Sequence, residues 1–230
     1  MPDYLQGEVI LIDKPLTWTS FDVVNKIKYG LKNKLKVKKI KVGHAGTLDP
    51  LATGLLIVCT GKKTKTIPDI QGQTKEYTGV IKLGATTPSF DLETEPENFL
   101  PIEHIQIETV KSSAKKLTGD LAQTPPIFSA KKINGKRAYD MARKGEKPEM
   151  RVNNVHVEAF DILDLEDSNA YFRVVCSKGT YIRSLANDLG ELLSVGAYLK
   201  ELRRTKIGDF DVINAFSMEE IAEQLEKIES

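Results

Sequence analysis

The chain has 230 residues, 40% hydrophobic and 28% charged, an ordinary composition for a folded protein with enough chain for a sizeable core. With 33 basic against 32 acidic side chains, net charge alone makes no case for a nucleic-acid or membrane partner. No apolar run approaches the roughly 20 residues of a membrane helix, no basic region followed by an apolar core opens the chain, and Cys59 and Cys176 lie in apolar runs, so the expectation is a cytoplasmic protein with two buried thiols.

In chain order, Glu8 to Pro15 reads as a strand stopped by proline. Thr19-x-x-Asp22 is a capping box opening a helix with Phe21, Val24, Ile27 and Leu31 at helical spacing. A lysine run follows: Lys26, Lys28, Lys32, Lys34, Lys36, Lys38, Lys39 and Lys41 crowd one segment, while acids gather at Asp91 to Glu97 and near the end at Glu219 to Glu229. A one-sided basic patch is the electrostatic footprint of a phosphate backbone, and equally the mark of a solvated surface. Gly43 to Gly54 reads GHAGTLDPLATG, three glycines around the carboxylate of Asp49, with Pro50 biasing Asp49 toward extended backbone. Leu55 to Cys59 is a short apolar run, suited to a strand buried on both faces.

Thr60 to Lys65 turns the chain, Glu76 to Leu83 reads as a strand, Pro88 to Pro101 as a polar surface loop and Ile107 to Leu117 as a helix. Thr124 to Lys136 opens on a double proline and is basic and turn-rich, with a short helix expected from Arg137 to Lys144. Val152 to Leu165 and Tyr171 to Cys176 alternate like strands. Helices are expected over Gly179 to Gly190, Gly196 to Arg204, and after the capping box Ser217-x-x-Glu220. Strands and helices mix without strict βαβ alternation, so the class is α+β.

Two functional signals need weighing. Gly61-Lys62 lacks the glycine five residues earlier that a phosphate-binding P-loop needs, because Leu56 stands there. There is also no CxxC pair or His/Cys cluster at metal-ligand spacing, His44, His104 and His156 being scattered, so no cofactor is expected. For Asp49, local chemistry leaves two readings level. It is either an acid held on a stiff loop beside a buried sheet, as catalytic groups often are, or an N-cap of a short turn ending at Gly54.

GHAGTLDPLATGLL resembles the catalytic signature of the TruB family of tRNA pseudouridine synthases. Lys14-Pro15 with Thr17 to Phe21, Lys75-Glu76-Tyr77, Pro125 to Ala130, Cys176 to Arg183 and Leu202-Arg203-Arg204 resemble further family segments in family order, covering about residues 8 to 215. The resemblance implies a mixed, mainly antiparallel sheet with flanking helices, the pseudouridine synthase fold. It makes Asp49 the catalytic carboxylate, Arg183 its cationic partner, and Tyr77 the ring that stacks on the base and takes up the C5 proton. His44, in the Gly43-His44 turn, would enter the RNA loop as the base leaves; Tyr181 and Leu202 would line the base pocket; Lys14 belongs to the RNA-binding set. A segment of about residues 124 to 152 would clamp the RNA, with Lys131 and Lys132 on phosphates. The implied substrate is the T-loop uridine in the TΨC arm of tRNA, modified without guide RNA by a monomer. The chain is expected to form one catalytic domain, without the C-terminal PUA domain that many members carry.

Overall fold

The computed structural model describes residues 2–128, 132–133, 136–137, 141 and 150–227. The chain divides into two compact units, residues 1–77 with 202–230, and residues 78–201.

The first unit is built on β3 (Ala52–Thr60). Its alternation sends Leu56 and Val58 to one face and Leu55, Ile57 and Cys59 to the other, and each face has its own core. On the first face, α1 (Ser20–Lys34) and α5 (Met218–Glu226) pack Ile27, Leu31, Ile221 and Leu225 against β1 (Val9–Lys14) and β3. On the second, Ala45, Ile70 and Ile207 cover β3. The run read as buried on both faces is therefore so. Burial also pushes the Cys59 thiol up, and Cys176 is likewise a buried free thiol.

Both expected capping boxes form. Thr19 accepts from the backbone N–H of Asp22 at the start of α1, and Ser217 from that of Glu220 at the start of α5, each with the reciprocal carboxylate bond. β3 pairs antiparallel with β1 along one edge; on the other it pairs antiparallel with β2 (Val42–Ala45) and parallel with β10 (Ala197–Ile207). β11 (Phe210–Asp211) closes a hairpin on β10. After β3 the chain does turn at Gly61–Thr66, but that turn is helical (3-10) and runs into α2 (Ile67–Gly72), which the sequence reading did not foresee.

The segment Gly196 to Arg204 was expected as a helix and is strand β10. Its Leu, Lys, Glu and Arg content favours helix locally, yet Leu202, Arg203 and Arg204 pair with Ala52, Thr53 and Gly54. A ladder partner far away in sequence outweighs a propensity of a few tenths of a kcal/mol per residue. Gly54 makes the pairing possible. It lies at φ +98°, and a Cβ there would come within 2.3 Å of the Arg204 carbonyl oxygen.

The second unit carries β8 (Asn153–Glu166) and β9 (Asn169–Cys176), a hairpin turned by Asp167 and Ser168, both at positive φ. β5 (Gly119–Gln123) extends it on β8. Phe160 and Phe172 meet edge to face across the hairpin, centroids 6.0 Å apart. Helices α3 (Ile107–Lys115) and α4 (Ile182–Leu193) pack together, and α3 also lies on β8. β4 (Lys75–Leu83) begins in the first unit and ends in the second. The two-residue strands β6 (Lys132–Ile133) and β7 (Lys136–Arg137) pair with each other, so Arg137 is in a strand; most of the helix expected from Arg137 to Lys144 lies outside the described residues. The α+β class and the mainly antiparallel pairing are as expected.

Candidate active site

Asp49 sits on the turn between β2 and β3, half-buried, with Leu48 below it in the core. Pro50 does not start a helix. Ala52 N–H returns to the Asp49 carbonyl at 3.0 Å and β3 begins at once, so Asp49 opens a single turn that ends two residues short of Gly54. The turn is pinned from three sides. Ser20 at the start of α1 both donates to and accepts from the Leu48 backbone, at 3.1 and 2.9 Å. Thr17 N–H donates to the Pro50 carbonyl at 2.9 Å. From β10, Arg204 donates through Nε to the Leu55 carbonyl at 2.8 Å and through Nη2 to the Gly46 carbonyl at 2.9 Å. Arg204 is 1% exposed, and its two acceptors bracket Asp49 in sequence, so one buried guanidinium ties both ends of the loop. Gly46, at φ +89°, lies directly against that guanidinium.

Lys14, at the end of β1, is fully buried, and its ammonium donates to the carbonyls of Pro15 at 2.9 Å and Trp18 at 2.6 Å. Burial pushes its pKa down to about 8; the Asp49 carboxylate opposes that fall and the Arg204 cation adds to it. Asp49 has no cation beside it in sequence, but the fold brings Lys14 and Arg204 into its surroundings. The His44 ring, on β2, is pushed down by burial and by Arg204, against a backbone bond to Gly46, and so is held neutral near pH 7. Its Nδ1 is buried and finds no hydrogen-bond partner among the described residues. Gly43 stands opposite Cys59 in the β2–β3 register. Leu202 is half-buried opposite Ala52. Tyr77 is 9% exposed on β4. Arg203 forms a two-pronged ion pair with Asp13, at 2.9 and 2.6 Å.

In the second unit, Arg183 is the second residue of α4 and is buried at 5% exposure. Its Nη1 donates to the Phe128 carbonyl at 2.8 Å and the Ser89 carbonyl at 3.3 Å, and stands 3.5 Å from a carboxylate oxygen of Asp91. Asp91 is also buried, although it belongs to the acidic stretch read as surface loop. Its other carboxylate oxygen accepts from Glu93 N–H at 3.0 Å, and Ser89 Oγ donates to its carbonyl at 3.0 Å. Tyr181 is held through its backbone by both ends of the Gln123 amide, at 2.7 and 3.1 Å. Lys131 lies outside the described residues, as does the side chain of Lys132.

Arg204 and Asp91 were not singled out from the sequence. The signal available for Arg204 was its place in the Leu202-Arg203-Arg204 segment, a tandem arginine in a stretch already rich in charge. For Asp91 there was none, because an aspartate in an acidic loop looks solvated.

A carboxylate on a loop fixed by a buried arginine, backed by a buried lysine and a neutral histidine, belongs to an α+β chain whose sequence matches pseudouridylate synthases, enzymes of the isomerase class. Residues 32–182 match the family model described as TruB family pseudouridylate synthase (N terminal domain), and residues 183–230 the one described as tRNA pseudouridylate synthase B C-terminal domain. The chain belongs to the TruB family. It is 54% identical over 225 residues to the tRNA pseudouridine synthase B of Parabacteroides distasonis, covering 98% of this chain and 96% of that protein. It is likewise 54% identical over 225 residues to that of Flavobacterium johnsoniae, covering 97% and 98%. Among solved structures, one titled as a Cbf5-Nop10-Gar1 complex superposes with a TM-score of 0.72 at 29% identity, over 96% of this chain and 55% of that one.

Proposed function

We propose that this chain converts the T-loop uridine of tRNA to pseudouridine, acting without guide RNA or cofactor and with Asp49 as the catalytic carboxylate. The observation that carries this reading is the loop: a single carboxylate, tied at both flanks by Arg204 and facing the buried charge of Lys14, in a chain about half identical to proteins named tRNA pseudouridine synthase B.

The target base of a folded RNA is extruded before chemistry. Asp49 then acts at the sugar, as nucleophile on C1′ or as the base that opens a glycal route. In either case the C1′–N1 bond breaks, the uracil turns, and C5 bonds to C1′. N1 gains a proton and C5 loses one, so the reaction is an isomerisation with no co-reactant. Tyr77 supports the base by stacking and takes the C5 proton, Tyr181 and Leu202 line its pocket, and His44 and Gly43 hold the RNA loop. Arg183 serves as the cation that orients Asp49, while Lys131 and Lys132 hold phosphates on the clamping segment.

The test is release of tritium from tRNA transcribed with 5-tritiated uridine, run beside a transcript whose T-loop uridine is replaced by cytidine. The reading predicts release from the first and none above background from the second. Equal release from both would move the target elsewhere in the RNA.

A further inference from the structure

The lysine-rich run between Asp22 and Asp49 contains eight lysines and no acidic residue. In the fold these lysines divide. Lys26 and Lys34 lie along the groove between α1 and α5, where Lys34 is ion-paired with Glu226. Lys28 and Lys32 on α1 converge instead with Lys38, Lys39 and Lys41, from the strand-free segment before β2, around a separate hollow of about 600 Å³. Its one other lining residue is Ile40, and among the described residues no carboxylate lines it. We propose that this five-lysine hollow is a docking site for the phosphate backbone of the substrate RNA, distinct from the Asp49 loop. The choice of RNA as its occupant rests on the proposed function.

Three features argue for a polyanion. If roughly spherical, the hollow is about 10 Å across, close to the Debye length of ~8 Å at physiological ionic strength, so the five charges act together on whatever enters. Its lining offers only ammonium groups and one aliphatic side chain. There is no planar fork, ring or acceptor with which to discriminate a small molecule, whereas compact mobile point charges suit sequence-independent phosphate contacts. Finally, the hollow is close to the site along the chain. Lys41 precedes β2, which carries His44, and stands eight residues before Asp49, so their Cα atoms lie at most about 29 Å apart. RNA whose target nucleotide reaches Asp49 has flanking phosphates within that radius.

The test is tRNA binding across a salt series, for wild type and for Lys38→Glu/Lys39→Glu, both exposed positions on the rim. Each phosphate contact adds ~0.7 to 0.9 to the slope of log K against log salt. Losing two contacts flattens the slope by about 1.4 to 1.8, and at 0.1 M salt weakens binding roughly 25- to 60-fold if the electrostatic contribution vanishes near 1 M. Lys111→Glu/Lys115→Glu, exposed on α3 and not among the residues that line the hollow, makes the same change in net charge and is expected to leave slope and affinity near wild type. Equal losses in the two double variants would reduce the effect to overall charge and overturn the proposal. So would parallel salt plots for wild type and the Lys38/Lys39 variant, which would leave the hollow to an acidic protein partner, or wild-type binding without salt dependence. Because the readout is binding, an inactive isomerase fails the tritium assay without failing this one.

Discussion

Replacing Arg204 by methionine removes the guanidinium while keeping an unbranched side chain of similar reach. The buried Leu55 carbonyl and the half-buried Gly46 carbonyl lose a charged donor at 2.8 and 2.9 Å. A buried acceptor left unsatisfied costs about 1 to 3 kcal/mol, so through Leu55 the variant is expected to lose about 1 to 3 kcal/mol of unfolding free energy. That is a large share of the 5 to 15 kcal/mol typical of a domain, yet short of unfolding most domains at room temperature. The loop carrying Asp49 is also freed at both ends. A misplacement of about 1 Å costs on the order of a hundredfold in turnover, so kcat is expected to fall by about that factor while tRNA affinity changes little. Denaturant midpoints give the first quantity and single-turnover tritium release the second. Arg204→Lys keeps the cation but has no fork to bridge both carbonyls, so it should fall between the two. If the methionine variant does not fold, the lysine variant still carries the test. A loss under about 0.5 kcal/mol with unchanged turnover would refute the clamp, since that is the effect of an ordinary surface change.

Lys14 gives up its proton near pH 8 in the fold and near 10.5 in the unfolded chain. Between those values the unfolded state binds more protons, so raising the pH stabilises wild type relative to Lys14→Met, by about 3 kcal/mol across the window at ~1.4 kcal/mol per pKa unit. A difference between the two proteins that stays flat from pH 8 to 10.5 would contradict this. Asp91→Ala takes a carboxylate away from the buried guanidinium of Arg183 and is expected to lower stability by about 3 kcal/mol, read as a shifted denaturant midpoint at constant slope. An unshifted midpoint would mean that the Asp91 carboxylate adds nothing to the hold on Arg183.

What could be read from the sequence was what is decided locally. Thr19 with Asp22 and Ser217 with Glu220 are three residues apart, so their caps follow from spacing alone. The apolar run Leu55 to Cys59 has no polar face to offer solvent, and two cores close on it as expected. The short helix α2 was a local miss, and the failures that bear on the site are long-range. Ala197 to Ile207 is helical by composition and becomes a strand because β3, some 150 positions away, offers Ala52, Thr53 and Gly54 as ladder partners. The same pairing delivers Arg204 to the Asp49 loop, and β1 delivers Lys14. Neither approach leaves a mark within the GHAGTLDP segment itself. Asp91 was missed for a related reason. Its burial comes from the neighbours it is folded against, such as Leu199, whose backbone bridges to it, and not from its acidic surroundings in sequence.

The most direct test of the account is the single-turnover rate of Asp49→Asn on unmodified tRNA, measured beside its tRNA affinity. The amide is nearly the size of the carboxylate but can neither attack C1′ nor take a proton from the sugar. The account predicts no detectable tritium release from RNA that is still bound with near wild-type affinity. Release within about tenfold of wild type, a barrier change of no more than ~1.4 kcal/mol, would contradict it.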